Sequence, residues 1–205
     1  LFSGLLATFL LADLRNSFVW LALLVTLGFG AIGFVDDYRK VIGHSSDGLS
    51  ARGKLFLQAV LGIAAGLFLA TRPEFSTTLN FPLLKDFNPD LGWWYVPFAA
   101  FVLVGTSNAV NLTDGLDGLA IGPVAIAAAT SGLFTYIAGN AVMANYLQVE
   151  FVSGAGELMI FCGALVAASL GFLWFNAYPA QMFMGDVGSL PLGAAIGLLA
   201  LVSKQ

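Results

Sequence analysis

Three short acidic stretches stand at the ends of long apolar runs. They are Gly33-Phe34-Val35-Asp36-Asp37-Tyr38-Arg39-Lys40, Asn108-Ala109-Val110-Asn111-Leu112-Thr113-Asp114-Gly115-Leu116-Asp117-Gly118, and Phe183-Met184-Gly185-Asp186-Val187-Gly188-Ser189. Hydrocarbon does not solvate a carboxylate, so acids at such positions are costly unless they face water, a cation or a partner. Five carboxylates gathered on one small surface repel each other, by ~0.8 kcal/mol per pair at about 5 Å in water and by more at lower dielectric. A cation or raised pKa values relieve that repulsion. Hard oxygen ligands suit Mg²⁺, which commonly binds through one or two carboxylates plus substrate phosphates. Arg39, Lys40, Arg52 and Lys54 stand nearby to meet anionic groups. Acids and bases together at a membrane surface point to a phosphorylated substrate bridged by a metal.

Each motif alone has a plainer reading. Asp36-Asp37 reads equally as a solvated helix end, and its two side chains point about 100° apart on a helix, so they hold different jobs. The Thr113 to Gly118 stretch reads as a tight turn, where Asp and Gly are common. Asp186 and Ser189 read as a helix cap, and Asn108, Asn111 and Asn176 as groups that satisfy helix ends. His44 reads as a solvated loop residue, Phe183 and the tryptophans as packing or interface anchors, and Glu157 as a favourable charge at a helix start. Convergence on one face is what lifts the acids above these readings.

The elements that must bring them together are membrane helices. Of 205 residues, 59% are hydrophobic and 10% charged; a soluble domain carries about 25% charged residues. The charges cluster between apolar runs, which is the pattern of an all-α polytopic membrane protein and not of a transmembrane barrel. Expected full spans are 17–35, 54–70, 93–110, 119–138 and 158–175, about five complete transmembrane helices. Partial helices are expected at 1–12 and 190–202. Leu1 to Ala12 reaches only about 18 Å as a helix, so it is expected to be the far half of a span and not a signal peptide. Both ends are expected to be truncations of a longer chain with one transmembrane domain over 1–205. The connection 71–92, with Pro73, Pro82 and Pro89, is expected to form a hairpin or a surface helix around the apolar patch Leu79 to Leu84. The single cysteine, Cys162, excludes an internal disulfide and reads as a packed thiol.

Two crossings separate Asp37 from Asn111, and two more separate Asp117 from Asn176. An even number returns the chain to its starting side, so loops 36–53, 111–118 and 176–189 share one face. The connections around Asp13, Glu74 to Asp90 and Glu150 to Glu157 fall on the other. The loop 36–53 with Lys54 holds four of the eight Lys and Arg residues. Basic loops stay in the cytoplasm, so the acidic face is expected to be cytoplasmic.

The wording of these motifs goes further. With Phe172-Leu173-Trp174-Phe175-Asn176-Ala177-Tyr178-Pro179-Ala180 ahead of Phe183, they closely resemble the phospho-N-acetylmuramoyl-pentapeptide transferases, a branch of the polyprenyl-phosphate N-acetylhexosamine-1-phosphate transferases. The resemblance covers nearly the whole chain, and the run Asn111 to Ala120 favours the muramoyl branch. It implies a Mg²⁺-dependent enzyme of the bacterial plasma (inner) membrane. Undecaprenyl phosphate and UDP-N-acetylmuramoyl-pentapeptide would give lipid I and UMP in peptidoglycan synthesis. It implies Asp186 as the magnesium ligand, and Asp36, with Asp37 beside it, as the acid that deprotonates the lipid phosphate. Lys54, Asn111, Asp114, Asp117, Asn176 and Phe183 would line the nucleoside and pyrophosphate site, Phe183 stacking on uracil. Partners implied are the two substrates and the bilayer, with a homodimer left open and no nucleic acid. The family's upstream helices and its C-terminal histidine-rich motif are not in this sequence, and His44 does not match that motif. One-step transfer and a covalent aspartyl-phosphate route both stay open. So do the N-acetylglucosamine-phosphate branch and an ion or solute transporter, which the scarcity of ionisable residues mid-span disfavours.

Overall fold

A computed structural model describes residues 1–43, 48–80 and 88–204. Among them run eight α-helices: α1 (Phe2–Leu11), α2 (Ser17–Ile42), α3 (Ala51–Ala70), α4 (Tyr95–Thr113), α5 (Ile121–Ala138), α6 (Ala141–Leu147), α7 (Leu158–Asn176) and α8 (Gly185–Ser203). Six helical segments, built on α2, α3, α4, α5, α7 and α8, are long and apolar enough to cross a membrane; α1 is apolar but shorter. The expected fold, about five complete spans with a partial helix at each end, holds, and the partial helix at 190–202 is long enough to be complete. The last span begins at Gly185, not Leu190, and its 19 residues suffice for a crossing.

Helix ends depart from the hydropathy boundaries for local reasons. The α2 helix runs through Ile42, seven residues past the predicted end of its span at Val35. Nothing from Asp36 to Ile42 breaks a helix, and Arg39 and Lys40 in its last turn suit the negative end of the helix dipole. Asp36 and Asp37 are therefore helical, not loop residues. The α3 helix starts three residues before Lys54, at Ala51, where the Ser50 hydroxyl accepts from the Gly53 amide at 3.2 Å. Asn111 lies in the last turn of α4, so the second acidic loop begins only at Asp114. The expected plain connection 139–156 holds α6, capped by Asn140, whose side chain accepts from the Val142 and Met143 amides.

The α8 helix is the most enclosed element, with 13 of 19 residues buried, and it packs against α2, α4 and α5. Close approach demands small residues. A Cβ on Gly193 would overlap the Thr106 carbonyl of α4. Other packed pairs include α3 on α4, α5 on α7, α1 on α7 and α2 on α3.

The end of the bundle away from the acids is tied by its own contacts. The Thr78–Asp90 antiparallel bridge closes a hairpin, with amide bonds from Leu79 to Pro89 (3.0 Å) and from Leu91 to Thr77 (3.2 Å). Of the two forms expected there, the described residues pair as a hairpin does; residues 81–87, with most of the apolar patch and Pro82, lie outside the described residues. Phe75 packs on Phe18 and Tyr95. Lys204 donates to the Ser76 and Thr78 carbonyls, and Glu150 accepts from Thr78 and Asn80. Glu157 accepts from the Asp13 amide at 2.7 Å, so it ties two connections together as well as standing at a helix start.

Candidate active site

Helix α2 supplies three charged groups on one face. Asp36 and Lys40 are four residues apart and Asp37 and Lys40 three, so all project together. Asp36 is 2% exposed. Its Oδ2 lies 2.5 Å from Lys40 Nζ, and its Oδ1 accepts from the Leu49 amide at 2.7 Å. Asp37 Oδ2 accepts from the Val187 amide at 2.9 Å. The residue before α8, Met184, offers no capping side chain; Asp37 of a different helix takes that role and adds a negative charge where the helix dipole favours one.

The first turn of α8 carries Asp186 to the same point. Gly33 of α2 lies against its backbone, where any Cβ would overlap the Asp186 carbonyl. Asp186 Oδ1 accepts from Asn111 Nδ2 of α4 at 2.5 Å. Its Oδ2 accepts from Lys54 Nζ of α3 at 2.5 Å and from Lys40 Nζ at 3.2 Å. Asn111 also donates to Ser189 Oγ at 2.7 Å, which donates in turn to the Gly185 carbonyl. One oxygen each from Asp36, Asp37 and Asp186 falls within 4.8 Å of the others. Three carboxylates against two ammonium groups leave the centre net negative. Oxygen donors of this hardness and spacing fit a small divalent cation.

Beneath this centre, one turn along each helix, Asn108 Nδ2 of α4 donates to Gln58 Oε1 of α3 at 2.7 Å and to the Val104 carbonyl at 2.8 Å. Gln58 is fully buried, and its Nε2 has no partner among the described residues.

Beside the centre opens a cavity of about 310 Å³, lined by Asn111, Asp114, Asp117, Asn176, Phe183 and Asp186 among others. All nine residues expected at the site therefore lie at this end of the bundle, although they engage differently. Phe183 is 77% exposed, its ring free to meet a ligand. Asp114 has its carboxyl pushed above the usual range, first by burial and then by the charge of Asp186. Asp117 and Asn176 are committed to backbone. Asp117 Oδ2 accepts from the Ala180 amide at 3.0 Å. Buried Asn176 accepts from the Gly118 amide at 3.1 Å and donates to the Met182 carbonyl at 2.8 Å. They staple the loop after α4 to the loop after α7. His44 lies outside the described residues. Sequence reasoning counted Lys40 only among nearby bases; its spacing from Asp36, read on a continuing helix, is the signal that finds it. Gln58 carried none.

Residues 19–204 match the model of glycosyl transferase family 4. The chain belongs to that family. Curated relatives named phospho-N-acetylmuramoyl-pentapeptide-transferase resemble it along its length. The protein of Pelobacter propionicus is 58% identical over 198 residues, 97% of this chain and 55% of the relative. That of Citrifermentans bemidjiense is 59% identical over 200 residues, 98% of this chain and 56% of the relative. That of Oleidesulfovibrio alaskensis is 55% identical over 204 residues, 100% of this chain and 57% of the relative. The chain thus spans little more than half the length of these relatives. As a member of glycosyl transferase family 4 with six segments fit to cross a bilayer, it is a multi-pass membrane protein.

Proposed function

We propose that this chain carries the acid centre and donor cavity of a phospho-N-acetylmuramoyl-pentapeptide transferase. The whole protein would join undecaprenyl phosphate to the phospho-sugar of UDP-N-acetylmuramoyl-pentapeptide, releasing UMP and forming lipid I in the bacterial plasma membrane, with the acidic end facing the cytoplasm. The observation that carries the reading is the meeting of Asp36, Asp37 and Asp186 beside a polar cavity with an exposed Phe183 ring. The relatives' name supplies the transferred group; the lipid acceptor and the UDP donor follow from the resemblance of the motifs.

In this reading Asp186, with Asp36 and Asp37 beside it, would hold Mg²⁺, which would supply positive charge against phosphate oxygens. Lys54 and Asn111 fix both oxygens of Asp186. Both substrates are anions, so the Lys54 ammonium also lowers the repulsion between them. Asp36 takes the proton from the lipid phosphate, which then attacks the phosphorus bound to the sugar while UMP departs. Phe183 stacks on the uracil ring, and Asp114 faces the nucleoside. Asp117 and Asn176 shape the cavity through the loops they hold.

The test uses the full-length protein and UMP release. With UDP-N-acetylmuramoyl-pentapeptide as donor, turnover is expected to need Mg²⁺ and to vanish in Asp186→Asn. Preference for UDP-N-acetylglucosamine instead would move the protein to the other branch, and retained turnover in Asp186→Asn would remove the metal assignment.

A further inference from the structure

The three carboxylates already share a cation, and it belongs to the chain. Lys40 Nζ lies 2.5 Å from Asp36 Oδ2, 3.7 Å from Asp37 Oδ1 and 3.2 Å from Asp186 Oδ2. Lys54 Nζ is 2.5 Å from Asp186 Oδ2 and 3.9 Å from Asp36 Oδ2, and no ion pair to Asp37 is among its contacts. Of the two ammonium groups, Lys40 is the one within ion-pair distance of all three acids. Its side chain is 37% exposed against 17% for Lys54, so a path to solvent is open to it. A long flexible stem lets an ammonium leave without moving the helix that bears it.

We propose that Lys40 is the built-in occupant of the cation position formed by Asp36, Asp37 and Asp186, and that a divalent ion binds there by exchanging the Lys40 ammonium out to solvent. This rests on the reading of the three acids as a divalent-cation site. The same carboxylate oxygens serve either cation, and the divalent one carries twice the charge. Lys40 thus screens the three acids from one another and sets a threshold for metal binding. Lys54, bonded to Asp186 and more enclosed, stays. The consequence runs against the usual expectation for a basic residue in an active site, because its removal tightens metal binding.

The experiment measures Mn²⁺ binding to chelator-treated full-length protein in detergent by electron paramagnetic resonance, with no substrate present. Lys40→Met is expected to lower the Kd for Mn²⁺ about fivefold, the scale of a partly screened ion pair released from competition. Arg39→Met, at an exposed neighbour with the same change in net charge, is expected to leave the Kd unchanged. An unchanged or weaker Kd in Lys40→Met overturns the proposal, as does equal tightening in Arg39→Met. Asp186→Asn separates the underlying reading. If it binds Mn²⁺ like the parent, the cation site itself is wrong; if it loses binding while Lys40→Met is unchanged, only the exchange is wrong. The parent protein gives a second reading that needs no variant. Mn²⁺ is expected to raise acetylation of Lys40 by an amine reagent, followed by mass spectrometry, and unaltered labelling refutes the exchange.

Discussion

Replacing Asn176 by Ala removes the staple between the two loops that wall the cavity. Its carboxamide oxygen accepts from the Gly118 amide and its nitrogen donates to the Met182 carbonyl, so two backbone groups lose their partners at once. A hydrogen bond of this kind contributes about 0.5–1.5 kcal/mol net. Asn176 lines the open cavity and Met182 is 52% exposed, so water takes over in part and the sum comes to about 1–2 kcal/mol. That is roughly a 5- to 30-fold shift in the ratio of stapled to open loops. The measurement is thermal unfolding of the full-length protein in detergent, paired with the donor KM from UMP release. Asn176→Ala is expected to lower the unfolding midpoint and raise the KM together. Asn176→Asp keeps an acceptor for Gly118 and loses the donor to Met182, so it is expected to fall with the alanine variant although the residue stays polar. If both variants raise KM with the midpoint unmoved, Asn176 is a ligand contact and the staple reasoning is refuted.

Three further outcomes follow from the same structure. Gly33→Ala is expected to force α8 away from α2 at Asp186, costing about 1–3 kcal/mol of stability and weakening Mn²⁺ binding; unaltered Mn²⁺ affinity would show that this contact does not set the acid spacing. Asn108→Leu strands a buried carboxamide on Gln58, an expected loss of about 1–3 kcal/mol. Gln58→Leu removes an amide nitrogen without a partner among the described residues and leaves Asn108 bonded to Val104, so its unfolding midpoint is expected to lie above that of Asn108→Leu. Asp114 has a carboxyl pKa raised by burial and by Asp186, so the folded state holds its proton more tightly than the unfolded state does. Folding stability therefore drops as pH climbs from the unfolded value through the folded one, and stays lower above it. Asp114→Asn is expected to be more stable than the parent at neutral pH, with the gain fading as pH falls towards the unfolded value, while donor binding weakens; a gain independent of pH would exclude Asp114 as its source.

Much of this arrangement was legible in the sequence, and the exceptions have physical causes. Counting crossings places Asp36, Asp114 and Asp186 at one end because apolar runs near 18 residues have little choice but to span. Hydropathy marks where lipid stops, not where a helix stops, so the extension of α2 to Ile42 and the early start of α8 at Gly185 escaped it. The α8 start is stabilised by Asp37, which lies 150 positions earlier; no local pattern announces a cap supplied from another helix. Asn140 ahead of α6 was a readable signal, hidden because a seven-residue helix is too short for the periodicity that marks longer ones. The Gln58–Asn108 bond joins residues 50 positions apart, and its existence depends on the pitch at which α3 meets α4.

The contact of Gly33 with the Asp186 backbone has a wider consequence. Charge spacing is anchored where two rods touch, whereas the cavity walls come from the connections after α4 and α7. Under the proposed transferase function, chemistry and choice of donor thus reside in separable parts. Exchanging those connections between relatives should retune which nucleotide-sugar is accepted and leave the electrostatic heart standing. A single methyl at the crossing of the rods would disturb every member of the fold's reaction repertoire alike.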